Sequence, residues 1–451
     1  MKQLFTLLFS ALLPLLLTAQ KPRILITTDI GGDPDDQQSL VRLMVYTNEF
    51  DIEGLISSAA GTPGELKKEI IRPKLIEEII HGYEQVYPNL IRHDKNFISP
   101  ARLLSVVKKG SPHRGWDQVG EGKDTEGSDW IIQMADKKDS RPLNICLFGG
   151  QTDLAQALWK VKNTRSEKAY HKFISKVRVF DIDDQDKIFK QLFAAHPSLF
   201  YILSKAPLTE DKRNGVYRGI YLGGDESLTS LQWLKTNVLE NHGPLGQLYP
   251  QKTWTAPNPY GAMKEGDTPS WFYFLENGLN NPEHPEHGGW GGRYIKNDAG
   301  YFNDATSRFE DEPDARATVY RWRDDFQRDF AARMDWCVND YHQANHRPVV
   351  SVNGSSEKAP LIIRGKPGET IYFDASASTD PDGDEHGYEW IFYAQAGGYH
   401  GPLPQLNAAG AKASMLMPSL SPGVSLHLIL KVTDNGTPAL TGYKRITIGT
   451  K

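Results

Sequence analysis

Four aspartates within eight residues form the group best suited to chemistry in this chain: Asp29, Asp33, Asp35 and Asp36. Two glycines and a proline separate them, which is typical of a turn. Carboxylates held this close repel one another unless solvent or a cation neutralises them. Their hard oxygen atoms favour Ca²⁺ or Mg²⁺. A solvated turn whose side chains cap the next helix is the alternative interpretation.

Two strands and a helix surround this acidic turn. The apolar run Ile24 to Ile26 predicts a strand that ends just before Asp29. Apolar residues then recur at helical spacing from Leu40 to Met44, and Ile52 to Ile56 predicts a second strand. Such a unit places the aspartates at the carboxyl end of the first strand, where open α/β sheets bind their ligands.

The order of strand, turn and helix recurs further along the chain. Leu143 to Phe148 predicts a buried strand, which is followed by Gly149-Gly150-Gln151-Thr152-Asp153 and a helix over Leu154 to Lys160. Val177 to Ile182 predicts another strand with an acidic run at its end. Strands that alternate with helices indicate an α/β fold with a mainly parallel sheet flanked by helices.

Trp254 and Trp290 belong to a segment, 243–301, that is rich in aromatic residues, glycine and proline. Aromatic rings beside glycines are suited to stacking on sugar rings, so we predict that both tryptophans contact a carbohydrate. Ordinary core packing is the alternative for about half of these aromatic residues, because Trp and Tyr are mostly buried in any protein.

The chain is predicted to divide into three parts. Residues 1–20 combine an early lysine, an apolar run and a small residue near its end, which indicates a secretory signal peptide. Residues 21–345 form the α/β domain, and short alternating strands over 346–451 predict an immunoglobulin-like β-sandwich. No later stretch is long and apolar enough to cross a membrane, so we expect a secreted or periplasmic protein.

Composition argues against several other classes of protein. The formal net charge of -5 disfavours a nucleic-acid partner. Cys146 and Cys337 lie in apolar patterns and are predicted to be buried packing residues; no thiol or zinc spacing is visible. Near the C-terminus, Asp380, Asp382 and Asp384 either hold a second Ca²⁺ ion or form a well-capped turn.

The acidic turn resembles the opening motif of the nucleoside hydrolase family, a strand followed by Asp-x-Gly-x-Asp-Asp. Here the matching string is Asp29-Ile30-Gly31-Gly32-Asp33-Pro34-Asp35-Asp36. The string from Gly149 to Asp153 is similar to that family's Gly-Gly-x-Thr-Asn, and Gly266-Asp267 to its C-terminal His-Asp pair. With DTEGSDWII, EGDTPS, GGWGGRY and the trailing sandwich, the chain resembles still more closely a secreted cellulose-binding family that has a nucleoside hydrolase-like domain.

This resemblance implies a Ca²⁺ ion held by the carboxylates of Asp29, Asp36 and Asp267 and by the backbone carbonyl of Thr152. It also implies that Asp29 removes a proton from a water molecule. Asp35 matches the aspartate that contacts sugar hydroxyls, and Asp267 would help to bind the substrate. These roles are those expected in the family, and they are assigned here only because the positions match the family's motifs.

The chain departs from the family pattern at three places. Two extra residues lie between Asp29 and the Asp35-Asp36 pair, Gly266 replaces the family's histidine, and no Glu-Phe-Asn sugar-binding string is found. The retained aspartates favour a Ca²⁺-dependent hydrolase of an N- or O-glycosyl bond, acting on a sugar, a nucleoside-like molecule or material derived from plant polysaccharide. The missing histidine and the aromatic segment favour the alternative, a cellulose- or carbohydrate-binding protein without turnover.

Overall fold

The computed structural model describes residues 20–60, 70–252, 262–305, 307–309 and 312–451. An eight-stranded sheet lies at the centre of the first domain, in the order β3-β2-β1-β4-β5-β6-β8-β7. Its strands are β1 (Arg23–Thr28), β2 (Asp51–Ser57), β3 (Val107–Lys109), β4 (Leu143–Phe148), β5 (Val177–Ile182), β6 (Phe200–Ser204), β7 (Tyr294–Lys296) and β8 (Phe302–Asp304). Neighbouring strands run parallel except β7, which is antiparallel to β8. The predicted mainly parallel sheet is therefore confirmed.

Helices cover both faces of this sheet. They are α1 (Asp35–Met44), α2 (Pro73–His93), α3 (Pro100–Ser105), α4 (Glu126–Asp136), α5 (Gln151–Thr164), α6 (Glu167–Ile174), α7 (Phe189–Ala195), α8 (Leu231–Leu234), α9 (Gly243–Gln247), α10 (Thr268–Phe272), α11 (Ala317–Tyr320) and α12 (Arg323–Asp335). Successive residues of β1 point to opposite faces, because Ile24 and Ile26 join one hydrophobic core and Leu25 joins the other. The sheet is thus packed against an apolar core on each face.

Two smaller sheets form the C-terminal domain. Strands β9 (Ser307–Phe309) and β10 (Glu312–Asp314) pair with each other before it. The domain contains β11 (Leu361–Gly365), β12 (Thr370–Asp374), β13 (His386–Phe392), β14 (Leu406–Ala409), β15 (Lys412–Leu416), β16 (Leu426–Asp434) and β17 (Thr441–Thr450). They lie in the orders β11-β17-β16-β13 and β12-β15-β14, with a shared apolar core between the sheets. This arrangement confirms the predicted β-sandwich.

Buried polar contacts join the sandwich to the α/β domain. Arg445 is fully buried and donates to the carbonyls of Leu279 (2.7 Å) and Gly288 (2.8 Å). Asp325 in α12 accepts hydrogen bonds from the hydroxyls of Tyr443 and Thr441 in β17. The predicted boundary at residue 346 lies between the short helical turn Tyr341–Gln343 and β11.

Cys146 and Cys337 are both buried free thiols, as predicted. Cys146 packs within β4, and Cys337 follows α12. Across the described part of the chain, no helix combines the length and the apolar character that spanning a membrane requires.

Candidate metal and substrate site

The acidic turn lies where β1 ends and α1 begins. Asp29 follows the last residue of β1, the backbone reverses at Gly31 with φ +89°, and α1 starts at Asp35. Asp35 and Asp36 therefore occupy the first turn of a helix, where the helix dipole favours negative charge. The Thr28 hydroxyl donates to the Asp36 carboxylate, which fixes that side chain toward the sheet edge.

Asp267 reaches the same edge from a distant part of the chain. It immediately precedes α10, and oxygen atoms of Asp35, Asp36 and Asp267 lie within 4.8 Å of one another. Asp29 adjoins this group closely enough for its charge to act on both Asp36 and Asp267. The structure thus brings together all four aspartates that the sequence proposed for substrate or metal.

Burial raises the pKa of three carboxyl groups in this cluster, those of Asp29, Asp36 and Asp267. The pKa of Asp29 rises to about 7 because burial outweighs the opposing charge of Arg114. Burial and then the charge of Asp267 hold the pKa of Asp36 well above its ordinary value. For Asp267 the pKa is likewise raised well above its ordinary value, first by burial and then by the charge of Asp35.

Asp267 provides the clearest sign that the cluster suits a cation. The residue is 1% exposed, and neither of its carboxylate oxygens accepts a hydrogen bond from any described residue. Burying a carboxylate without a partner costs several kcal/mol, unless a proton or a cation neutralises it. A set of carboxylate oxygens, two of which have no hydrogen-bond partner among the described residues, is chemically suited to Ca²⁺, which takes six to eight oxygen ligands.

Two basic side chains that the sequence analysis missed also lie at this site. Arg114 donates from Nη2 to Asp29 Oδ2 at 3.1 Å and from Nε to the carbonyl of Ala59 at 3.0 Å. Lys264 contacts Asp33 closely and lies 3.4 Å from Asp35 Oδ2. Of these two basic residues, only Lys264 has a signal in the sequence, because it lies three residues before Asp267. Arg114 and Lys264 thus bring positive charge to the cluster of five carboxyl groups.

The glycine turn after β4 is needed for close approach to Asp29. Gly149 has φ +133°, and a side-chain carbon built there would lie 2.8 Å from Cγ of Asp29. Gly150 has φ +72°, and its added carbon would lie 2.2 Å from Oγ of Ser58. Any larger residue would displace the edge of the sheet that holds Asp29. Both glycines therefore shape the site.

Thr152 is the second residue of α5, and its expected role as a carbonyl ligand stays a prediction. Its amide and hydroxyl donate to Asp186 Oδ2 at 2.8 and 2.6 Å. Asp186 in turn lies 4.0 Å from Arg114, which contacts Asp29. Thr152 thus supports the site through Asp186, a residue that the sequence analysis did not select.

A polar wall stands beside Asp35. Asp183 has the left-handed backbone φ +69°, a strained conformation for a residue with a side chain. Burial raises its pKa, and the neighbouring charge of Arg218 opposes that rise. A carbon added to Gly266 would lie 3.4 Å from both Asp35 Oδ2 and the Tyr217 ring. The position of the family's missing histidine therefore faces this wall and Asp35.

Of the two predicted aromatic contacts, Trp290 lies in the core and not at the site. Trp290 is 1% exposed, and its ring packs against Phe272, Phe326 and Tyr443 in the core that joins the two domains. Its ring face is therefore unavailable for stacking on a sugar, and the prediction for Trp290 is corrected to core packing. Trp254 lies outside the described residues.

The C-terminal aspartates form the capped turn that was one of two alternatives. Asp380 Oδ1 accepts the amides of Asp382 (2.9 Å) and Asp384 (3.1 Å), and Asp382 accepts the amide of His346 at 2.7 Å. Their carboxylate oxygens also lie within 4.8 Å of one another, so a second Ca²⁺ site stays a prediction.

Comparison with known families identifies the chain. The family model described as "Cellulose-binding Sde182, nucleoside hydrolase-like domain" matches residues 23–294, and a model of the Sde0182 C-terminal domain matches residues 370–450. The chain belongs to the Sde182 family. This confirms the resemblance to a cellulose-binding family with a nucleoside hydrolase-like domain.

A solved structure supports membership of the Sde182 family. It is a nucleoside hydrolase-related hypothetical protein from Saccharophagus degradans, described as associated with carbohydrate metabolism. The match has 36% identity and a TM-score of 0.80, and covers 96% of this chain and 100% of that one. A second match, to a chimeric titin Z1Z2, covers 24% of this chain and 99% of that one at 19% identity, and its TM-score of 0.15 supports no inference. No curated protein matches significantly.

Proposed function

We propose that this member of the Sde182 family is a Ca²⁺-dependent hydrolase of an N- or O-glycosyl bond, acting on a sugar or on material derived from plant polysaccharide. The observation that carries the proposal is the convergence of four aspartates at the carboxyl edge of the sheet, three of them buried and one, Asp267, without a hydrogen-bond partner among the described residues. Binding a neutral sugar does not require a buried excess of negative charge. Activating a water molecule on a cation does.

The carboxylates of Asp29, Asp35, Asp36 and Asp267 would hold the cation. Their oxygens supply the hard ligands that Ca²⁺ prefers, and the orphaned Asp267 oxygens give the cation its strongest reason to bind. When bound, Ca²⁺ lowers the pKa of a coordinated water and leaves positions for sugar hydroxyls. Asp267 would thereby take part in binding the substrate as well.

Asp29 is the proposed general base. Its pKa of about 7 in the protein lies near the working pH, where a base both exists in its ionised form and accepts a proton readily. The guanidinium of Arg114 orients the Asp29 carboxylate through Oδ2. Asp35 would accept hydrogen bonds from sugar hydroxyls, and Lys264 keeps its charge compensated when no substrate is present.

The leaving group receives no help from position 266, because glycine replaces the family's histidine there. General acid catalysis by a side chain contributes roughly a hundredfold to ten-thousandfold in rate. Substrates whose leaving group departs as a stable anion, such as nitrophenyl glycosides, should therefore react faster than natural alkyl glycosides. This preference is a direct chemical consequence of the substitution.

Carbohydrate binding without turnover is the second candidate. It is favoured by Arg114, whose contact with Asp29 competes with the proton transfer that a base must perform. The family's description as cellulose-binding also supports it. In this case cellulose or a related glucan is the ligand.

One experiment separates the two candidates. Release of reducing sugar or free base is measured with nucleosides, nitrophenyl furanosides and pyranosides, and plant polysaccharides, with Ca²⁺ or EDTA, beside pull-down on insoluble cellulose. We expect release that requires Ca²⁺ and is lost in Asp29→Asn but retained in Asp211→Asn, an exposed aspartate paired with Arg213. Retention on cellulose without release from any substrate would reject the hydrolase in favour of the binding protein.

We also propose that the chain is exported. Residues 1–19 lie outside the described part of the structure, and the proposal is supported by the signal-peptide pattern of residues 1–20. Mass spectrometry of the protein recovered from a secreting host should give a mature chain that begins close to Gln20. A cell-retained chain that keeps Met1 would contradict export.

A further inference from the structure

A second group of side chains that could bind a metal ion differs in its ligand chemistry from the aspartate cluster. It is formed by His284, Glu286 and His287, in the loop that contains the short helical turn Pro285–His287. One ligand atom from each of these residues lies within 4.8 Å of the other two. His284 Nδ1 is 2.9 Å and His287 Nε2 is 3.9 Å from the same carboxylate oxygen, Oε1 of Glu286. Two imidazole nitrogens therefore converge on one carboxylate oxygen.

The loop that carries this group is fixed on both sides. The His284 amide donates to the carbonyl of Asn281, and the His287 amide donates to the carbonyl of His284, each at 2.9 Å. The next carbonyl, that of Gly288, accepts from the buried guanidinium of Arg445 in β17 at 2.8 Å. The backbone of the loop that carries the three side chains is thus held by its own hydrogen bonds and by the C-terminal domain.

The imidazole of His287 is suited to metal binding in its protonation state and its surroundings. The residue is 8% exposed, and burial followed by the charges of His427 and Arg445 lowers its pKa well below the ordinary value. Its Nδ1 lies 3.0 Å from the side-chain amide of Asn281. As placed, Asn281 Nδ2 donates to Nδ1. With that amide turned over, its oxygen would accept from Nδ1–H and the Nε2 lone pair would be directed at Glu286, the common orientation of metal-binding histidines.

Two neighbouring ionisable residues have partners of their own among the described residues. Glu283, the other carboxylate of the loop, is paired with Arg178 at 2.6 Å. His427 packs edge-on against His287, but its own nitrogens contact Ser425 Oγ and Arg445 Nη1, each at 3.0 Å. Three ligands, two nitrogens and one oxygen, therefore remain for an ion that approaches from the solvent side, where His284 is exposed.

We propose that His284, Glu286 and His287 form a binding site for a borderline transition-metal ion of the Zn²⁺ class, distinct from the Ca²⁺ site. Imidazole nitrogen with one carboxylate is a ligand set typical of Zn²⁺ and of Ni²⁺ or Cu²⁺, and Ca²⁺ does not select it. A bound ion would stiffen the loop on which Arg445 anchors the sandwich. The site is therefore expected to stabilise the junction of the two domains.

The test uses Zn²⁺ added to the EDTA-treated full chain in excess Ca²⁺, which occupies the hard oxygen sites. Calorimetry should show binding that weakens by about tenfold or more in His284→Ala and in Glu286→Gln, since each loses a ligand. His284 is about half exposed, so its replacement should not unfold the chain. Zn²⁺ should also raise the Tm of the wild type and not that of His284→Ala.

Two matched controls decide the outcome. His171→Ala removes an equally exposed histidine that lies 3.7 Å from Glu167 on a helix, and it should bind Zn²⁺ like the wild type. Asp267→Asn should also keep Zn²⁺ binding, because it changes only the aspartate cluster. Equal Zn²⁺ affinity in wild type and His284→Ala, or loss of that affinity in Asp267→Asn instead, would overturn the proposal.

Discussion

Addition of Ca²⁺ should reverse which of two proteins, the wild type or Asp267→Asn, is the more stable. Asparagine keeps the shape of the side chain and removes one charge from a site where three carboxylates lie within 4.8 Å. Two unit charges at that distance repel by about 3 kcal/mol at an effective dielectric constant of about 20. Protonation relieves part of this repulsion, so we expect Asp267→Asn to be more stable than wild type by about 1 to 3 kcal/mol in EDTA at pH 8.

Calcium should act in the opposite direction. A ligand present at about 100 times its Kd stabilises the native state by about 2.7 kcal/mol. The wild type should gain this amount, whereas Asp267→Asn, which has lost a charged ligand, should gain almost nothing at the same Ca²⁺ concentration. The variant is thus expected to be the more stable protein in EDTA and the less stable one in saturating Ca²⁺.

The difference in EDTA should also depend on pH with a definite sign. Burial raises the pKa of Asp267 in the folded chain, so the folded state binds a proton that the unfolded state releases. The stability contributed by that protonated carboxyl is complete below the unfolded pKa of about 3.9 and is lost as pH rises through the raised folded pKa. The advantage of Asp267→Asn should therefore be absent at acidic pH and grow toward pH 8.

Urea unfolding followed by tryptophan fluorescence measures all three expectations, with Asp211→Asn as the surface control. If wild type and Asp267→Asn unfold at the same urea concentration in EDTA at pH 8, and Ca²⁺ stabilises both equally, the aspartate cluster is not a cation site. A variant that is less stable than wild type under every condition would show that Asp267 has a structural partner instead.

Three further substitutions test the geometry of the base and its surroundings. Gly149→Ala should destabilise the fold by about 1 to 3 kcal/mol and weaken Ca²⁺ binding, because the backbone φ of +133° is strained for alanine and the added carbon would meet Asp29. Urea unfolding measures the loss of stability, and calorimetry measures the loss of Ca²⁺ affinity. Arg114→Gln should raise the pKa of Asp29 above about 7, since the charge of Arg114 lowers that pKa. The acidic limb of the pH–rate profile should then move to higher pH, and an unchanged limb would exclude Asp29 as the base. Gly266→His should speed release of poor leaving groups more than of nitrophenol, and an equal effect on both would show that position 266 does not face the leaving group.

The main elements of the fold could be predicted because their signals are local. The apolar runs of β1, β4 and β5 and the glycine turns that follow them are written in consecutive residues, and the structure gives β4 and β5 the predicted bounds. The acidic turn could also be placed at a strand end by local pattern alone. Asp267 required the family resemblance, because no local pattern connects it with Asp29.

The contacts that were missed depend on tertiary packing. Arg114 reaches Asp29 because Asp153 holds the intervening loop, accepting from the Ser111 amide at 2.8 Å and the Thr125 hydroxyl at 2.7 Å. No spacing in the sequence reports such a loop anchor. The prediction that Trp290 contacts a carbohydrate was wrong for a related reason, since burial between two domains depends on how the domains pack and not on the glycines beside the ring.

The electrostatics of the aspartate cluster bear on the choice between hydrolysis and binding. Each buried carboxylate with a raised pKa lowers the stability of the cation-free fold at neutral pH, and the ion pairs of Arg114 and Lys264 compensate part of this charge. A site for neutral glucan chains gains nothing from this cost, because sugar hydroxyls bind equally well to paired carboxylates and amides. A site that must hold Ca²⁺ and receive a proton from water needs both the excess charge and a base of pKa near 7. The retained excess of negative charge therefore argues for water activation as the function of this edge of the sheet.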